Sequence, residues 1–228
     1  MFVDGKMSTI HRLSGERWSV IVELIAKDWR SVLDVGCRDR CLRQHLPRGA
    51  HYVGLDLFPP ADVIASAEDP LPFDDNAFDC VVLADVLEHL DDPHGALDEA
   101  LRVARRSAII LLPNLLTLVL RLQMFSGRLP DKYRLTHESR QDRHRWIMNF
   151  DQAASFTRGR VELNGWTVAR EYAYIFPFRR LSVRAAYAVA RHLAGPNVWA
   201  WAYAARAEPK PCLGTSCPAG GSHPQPGR

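Results

Sequence analysis

Ser31-Val32-Leu33-Asp34-Val35-Gly36-Cys37 is the stretch whose reading decides the fold. Three apolar residues around a single acid make a short strand with both faces buried, and glycine ends it in a turn. A helix-like segment with Leu42 and Leu46 follows, and then a second strand, Tyr52-Val53-Gly54-Leu55-Asp56, which closes on an acid. Strand, glycine turn, helix, strand and terminal acid form the first half of a nucleotide-binding βαβ unit. Asp56 lies roughly 20 residues beyond the turn, where such units place the carboxylate that accepts hydrogen bonds from ribose hydroxyls.

Three blocks extend this reading. After Leu33-Asp34-Val35-Gly36-Cys37 come Leu71-Pro72-Phe73-Asp74-Asp75-Asn76-Ala77-Phe78-Asp79 and Asp85-Val86-Leu87-Glu88-His89. Together they resemble the class I S-adenosylmethionine-dependent methyltransferases, in particular the group with motifs LDVGCGxG, LPFxDxxFD and DVLEH. The resemblance spans residues 30–112 and, more weakly, 150–176, where Gly165-Trp166-Thr167-Val168 looks like the entry to a sixth strand. It implies an α/β fold: a Rossmann-like, doubly wound seven-stranded sheet, mostly parallel with an antiparallel last strand, and a helical insertion after strand 5.

The same resemblance implies the site. S-adenosyl-L-methionine is the expected cofactor. Asp34 and Gly36 order the glycine loop near the cofactor's amino group, Asp56 grips the ribose, Leu57 packs on adenine, and Glu68 or Asp69 meets the adenine amino group. Ala84 and Asp85 end the fourth strand at the ligand-binding edge. The chain departs from the pattern at Arg38 and Arg40, where glycine is asked for. Either these side chains swing outward, or one (Arg38) pairs with the cofactor's carboxylate, or cofactor binding is lost. The last outcome would make the chain a catalytically inactive, methyltransferase-like binding or regulatory protein.

Glu88 and His89 admit three readings. They fix their loop by hydrogen bonds, or His89 is a general base beside the methyl acceptor, or Asp85, Glu88 and His89 resemble a divalent-metal site of some quinone and RNA methyltransferases. With no distant further ligand identified, no metal is assigned. His144, before Trp146, is the second candidate acid or base.

Composition sets the remaining bounds. The 228 residues, 47% hydrophobic and 24% charged, suit one domain over 1–207 with a proline-rich, disordered tail over 208–228. A formal charge of +3 is too small to argue for nucleic acid, so a small-molecule acceptor is expected. Five cysteines are odd in number and lack zinc-finger spacing. No signal-peptide core precedes the first charges, and a soluble, cytoplasmic protein is the default expectation.

Residues 1–13 read as frayed, and Ser14–Lys27 as a packing helix capped by Ser14. An insertion over about 113–149 reads as a lid above the acceptor, with an apolar helix at Leu115–Phe125 and a basic segment suited to an anionic acceptor. The basic segment reads equally as a solvated loop, and the helix alternatively as a contact with a membrane surface or as a homodimer interface. Asp151 is expected to cap a helix to Arg160, Arg180–Leu193 to form an amphipathic helix, and Val198–Ala205 to form the final strand.

Overall fold

Strand β5 (Phe78–Ala84) is buried at all seven positions, as a central parallel strand must be when helices cover both faces of its sheet. Its side chains alternate between two cores. Val81 and Leu83 join the apolar cluster under the helices of one face, and Cys80, Val82 and Ala84 join the cluster on the other. In the computed structural model of the chain, the described residues are 11–14, 17–25, 29–129, 133, 143–175 and 195–211.

β5 sits within an eight-stranded sheet. The other strands are β1 (His11–Ser14), β2 (Ser31–Val35), β3 (His51–Asp56), β4 (Val63–Ile64), β6 (Ala104–Pro113), β7 (Trp166–Ile175) and β8 (Ala202–Pro209). Their order is β1-β7-β8-β6-β5-β2-β3-β4. Only β8 runs antiparallel, to β6 and β7; every other pairing is parallel. The expected seven strands are all present, and β1 adds an eighth outside β7. Ser14 therefore ends a strand and does not cap a helix, and residues 11–13, expected to be frayed, belong to that strand.

α1 (Arg17–Leu24) packs Val20, Ile21 and Leu24 on one face of the sheet. α2 (Pro93–Val103) and α4 (Phe150–Leu163) cover the other, through Leu97, Ala100 and Leu101 and through Phe150, Ala153 and Val161. α2 starts where Asp92 accepts the His94 and Gly95 N–H groups at 3.1 and 3.0 Å, with Pro93 in the first turn, where its missing N–H costs nothing. α4 is capped by Asn149, not Asp151. Asn149 accepts the Gln152 N–H at 2.8 Å while the Gln152 side chain accepts the Asn149 N–H at 3.0 Å. Asp151 stands inside the first turn, where it complements the helix dipole.

The last strand also differs from expectation. Pro196 opens a short helix, α5 (Pro196–Trp199), whose Trp199 is buried, and β8 starts only at Ala202. Glu208 and Pro209, expected in the tail, pair with Thr167 and Trp166. The Arg180–Leu193 helix lies outside the described residues, as does the tail beyond 211.

Past β6 the chain turns on Asn114, which is buried. Its amide donates to the carbonyls of Ala200 at 2.7 Å and Asn197 at 3.1 Å, and its oxygen accepts the Leu116 N–H at 3.0 Å. These bonds fix the chain just before α3 (Leu118–Phe125), which is capped by Thr117. Asn114→Ala leaves the buried carbonyls unsatisfied, each costing about 1–3 kcal/mol. Urea denaturation should show a loss of about 2–3 kcal/mol with an unchanged m-value.

Candidate functional site

The strands run β2, β3, β4 to one side and β5, β6 to the other, so the direction of winding reverses between β2 and β5. Open α/β sheets bind ligands in the crevice at such a point, outside the carboxyl ends of the strands. The loop after β2 lies there. Gly36 has φ +71°, and its N–H and that of Cys37 both donate to the Leu55 carbonyl at 2.8 and 3.1 Å. A Cβ on Gly36 would stand 2.5 Å from Val86 Cγ2, so this close approach of two loops excludes every larger residue.

Arg38 and Arg40 also adopt left-handed backbone, with φ +50° and +60°. These are the two positions where the resemblance asks for glycine, and the backbone gives the physical reason. Each non-glycine residue there costs about 1–2 kcal/mol. Local bonds offset the cost. The Arg38 N–H donates to Asp56 Oδ2 at 2.8 Å, and the Arg40 N–H to the Cys37 carbonyl at 2.7 Å. The Arg40 side chain swings outward, bonding the Pro60 carbonyl at 3.2 Å and pairing with Asp62 at 2.6 Å. Asp62 in turn accepts the Gly54 N–H at 2.9 Å, which ties the loop to β3. The Arg38 side chain is exposed.

Asp56 stands at the carboxyl end of β3, followed by Leu57 and Phe58, which are 56% and 52% exposed although apolar. Asp34, in the middle of β2, is buried and accepts the Tyr52 hydroxyl at 2.8 Å. Burial raises its carboxyl from 3.8 to about 7, against the opposing pull of the Tyr52 bond and the nearby Arg17 charge.

Arg17, at the start of α1, is the residue that sequence reasoning misses. It bridges to Asp85 at 2.9 Å and donates to the Ala84 carbonyl, tying the start of α1 to the end of β5. Asp85 itself holds φ +55°. The two partners are nearly 70 residues from Arg17 in the chain, and nothing in Arg17's local pattern distinguishes it from the other basic residues. Glu68 accepts the Asp92 N–H at 3.4 Å and that of Asp91, so it ties down the loop leading into α2, while Asp69 is exposed.

Beyond Asp85 a second cluster forms. Leu87–His89 makes a short 3-10 turn that buries the Glu88 side chain completely. The chain returns beside it: Arg145 and Trp146 donate their N–H groups to the Glu88 carbonyl at 2.8 and 3.4 Å, and Trp146 Nε1 donates to the Leu90 carbonyl at 2.8 Å. The two candidate histidines, far apart in the chain, are thereby brought together. Their rings meet edge to face at 4.7 Å. Glu88 Oε1 lies 3.9 Å from His89 Nε2 and 4.0 Å from His144 Nε2.

His89 Nδ1 is 3.0 Å from the Arg143 carbonyl, which can only accept, so Nδ1 carries the proton. His144 Nδ1 is 2.9 Å from the Tyr133 hydroxyl. One ligand atom from each of Glu88, His89 and His144 lies within 4.8 Å of the others. Ligands of a divalent transition ion with bonds near 2.0–2.2 Å are spaced at about 3–3.5 Å, so a small inward movement would close the set on an ion. His144 is thus brought beside Glu88 and His89 from a distant part of the chain, a meeting that the sequence does not reveal.

Residues 33–112 match the family model described as "Methyltransferase domain". A ubiquinone biosynthesis O-methyltransferase of Hahella chejuensis is 27% identical over 122 residues, covering 46% of this chain and 51% of the relative. The chain thus spans about half the length of that curated relative. Among solved structures, a SAM-dependent methyltransferase from Archaeoglobus fulgidus superposes with a TM-score of 0.54 at 17% identity, covering 80% of this chain and 87% of its own. The small RNA methyltransferase HEN1 superposes with a TM-score of 0.60 at 14% identity, covering 86% of this chain and 25% of its own. At such identities these two establish the fold.

The buried Asp34 has a measurable consequence. Between 3.8 and about 7 the folded chain holds a proton that the unfolded chain has released. Its contribution to stability is therefore complete below pH 3.8 and lost as the pH rises to about 7. Asp34→Asn removes this contribution. In urea titrations at pH 5 and pH 8, the fall in stability between the two should be smaller for the variant than for the wild type.

Proposed function

We propose, for a chain whose residues 33–112 match the methyltransferase-domain family model, that it transfers a methyl group from S-adenosyl-L-methionine to an oxygen or nitrogen atom of a small, anionic acceptor. The observation that carries this reading is the loop after β2. Despite two arginines it keeps three left-handed residues, its Arg38 N–H rests on Asp56, and Arg40 is turned out to Asp62. The crevice therefore keeps the backbone shape that glycines would provide.

The donor set suits the cofactor. Asp56 offers a carboxylate at a strand end for the ribose hydroxyls, with Leu57 and Phe58 as exposed apolar surface for the adenine. Asp34 is an acid whose ionisation a neighbouring ammonium would favour, and Arg17 is a cation beside it for a carboxylate. Bound there, S-adenosylmethionine supplies a methyl group on an electrophilic sulfonium. The chain's part is to align the acceptor with that group and to exclude water. α1 is latched by Arg17 to Asp85 at the end of β5.

The Glu88, His89 and His144 set has two uses on this reading. His89, with its Nδ1 proton fixed, presents Nε2 as a base. Alternatively the three hold a divalent ion such as Mn²⁺ or Zn²⁺, which would lower the pKa of an acceptor hydroxyl. The acceptor's charge is inferred from residues 121–145, which carry seven cations against three acids. A second reading, a binding protein without turnover, draws on the Arg17–Asp85 pair lying across the strand ends.

Two measurements test the proposal. In calorimetric titration, Asp56→Ala should weaken S-adenosylhomocysteine binding roughly 100-fold or more, from two lost charge-assisted hydrogen bonds, with circular dichroism unchanged. Unaltered affinity would remove Asp56 from the site, and binding without methyl transfer to any acceptor would favour the second reading. For the ion, Mn²⁺ titration followed by electron paramagnetic resonance should show one site in the wild type. That site should be lost in Glu88→Gln and His144→Ala, whereas equal binding by all three would leave the base reading alone.

A further inference from the structure

His144 is held from two sides. Tyr133, from the chain between α3 and α4, sets its ring edge to face against the imidazole at 5.4 Å and its hydroxyl 2.9 Å from His144 Nδ1. On the other side the His89 ring makes a second edge-to-face contact at 4.7 Å. Two aromatic edges and one polar contact therefore fix the imidazole, whose side chain is only 5% exposed.

The Tyr133 hydroxyl also donates to the Trp146 carbonyl, at 3.4 Å. A hydroxyl has one proton to give, and a carbonyl can only accept. With that proton aimed at Trp146, the 2.9 Å contact is completed by a proton on His144 Nδ1, donated to the phenol oxygen. His89 has the same tautomer, because its Nδ1 donates to the Arg143 carbonyl. Both imidazoles then turn an unprotonated Nε2 to Glu88, 3.9 and 4.0 Å from its Oε1. A histidine that ligates an ion or takes a proton through Nε2 carries its own N–H on the other nitrogen, and the partner of that N–H sets the ring's tautomer and orientation. For His89 the partner is backbone. For His144 it is a side chain, which a substitution can remove.

We propose that Tyr133 is a positioning residue whose hydroxyl holds His144 in the Nδ1–H tautomer, so that both histidines offer Nε2 lone pairs beside the Glu88 carboxylate. The inference rests on the reading of these three side chains as the set that takes an ion or the acceptor's proton. Tyr133 acts on that set through His144 alone. Its place between α3 and α4 makes the insertion after β6 contribute to the set through one hydroxyl.

Tyr133→Phe keeps the ring and removes the hydroxyl. Long-range ¹⁵N–¹H correlation spectra of the full chain, labelled at histidine, distinguish the tautomers at about pH 8, where neutral imidazole dominates. His144→Ala identifies the His144 signals. His144 should be Nδ1–H in the wild type and should lose that single tautomer in Tyr133→Phe. His89 should stay Nδ1–H in both, which also reports that the variant folds. In calorimetric titration, Zn²⁺ affinity should fall about tenfold in Tyr133→Phe. An Nε2–H tautomer at His144 in the wild type, or His144 signals unaltered in the variant, would overturn the proposal. A wild type that binds no Zn²⁺ would remove the ion from the site, while the tautomers would still decide the role of Tyr133, so the two readings fail separately.

Discussion

The contact between the loop after β2 and the turn after β5 is the constraint on which the rest of the site depends. Gly36 and Cys37 both bond the Leu55 carbonyl while Val86 packs against the Gly36 backbone, at a distance that leaves no room for a Cβ. This locks three strands, β2, β3 and β5, at their carboxyl ends. It also sets the direction of the Arg38 N–H toward Asp56 and holds the Asp85 turn within reach of Arg17. If the loop were to relax, both sides of the crevice would lose their geometry together.

The two arginines show how a sequence leaves a glycine pattern without leaving its backbone. Left-handed conformations at Arg38 and Arg40 carry strain, and the strain persists because surrounding bonds over-determine it. Arg40 is held by two carbonyl or carboxylate partners on the outer strap at Pro60 and Asp62, and its guanidinium lies 5.6 Å from the Tyr52 ring. Tyr52 itself is fixed by Asp34. The outer strap, the loop and the buried acid thus form one connected unit, in which a side chain that departs from the pattern has become a brace.

Much of this is legible in the amino-acid sequence alone. The central strands are near-continuous apolar runs because both their faces are buried, and Asp34, Asp56 and Asp85 stand out as acids placed in or at the ends of such runs. Local patterns fail where competing local signals exist. Asp151 and Asn149 both look like helix caps, and only the reciprocal bonds with Gln152 decide between them. The Trp- and Tyr-rich run after Pro196 reads as strand throughout, although its first residues form a helical turn that buries Trp199. Long-range meetings carry no sequence signal at all. Neither the Arg17–Asp85 bridge nor the approach of His144 to Glu88 follows from spacing, because each joins residues from distant parts of the chain.

The central claim, that a loop with arginines in place of glycines still forms a cofactor site, is tested most directly by calorimetric titration with S-adenosylmethionine. The wild type is compared with Arg38→Gly/Arg40→Gly. The account predicts that the wild type binds, and that restoring both glycines changes its affinity by no more than about tenfold, since the backbone is already in the required conformation. A wild type that does not bind, beside a glycine variant that does, would contradict it.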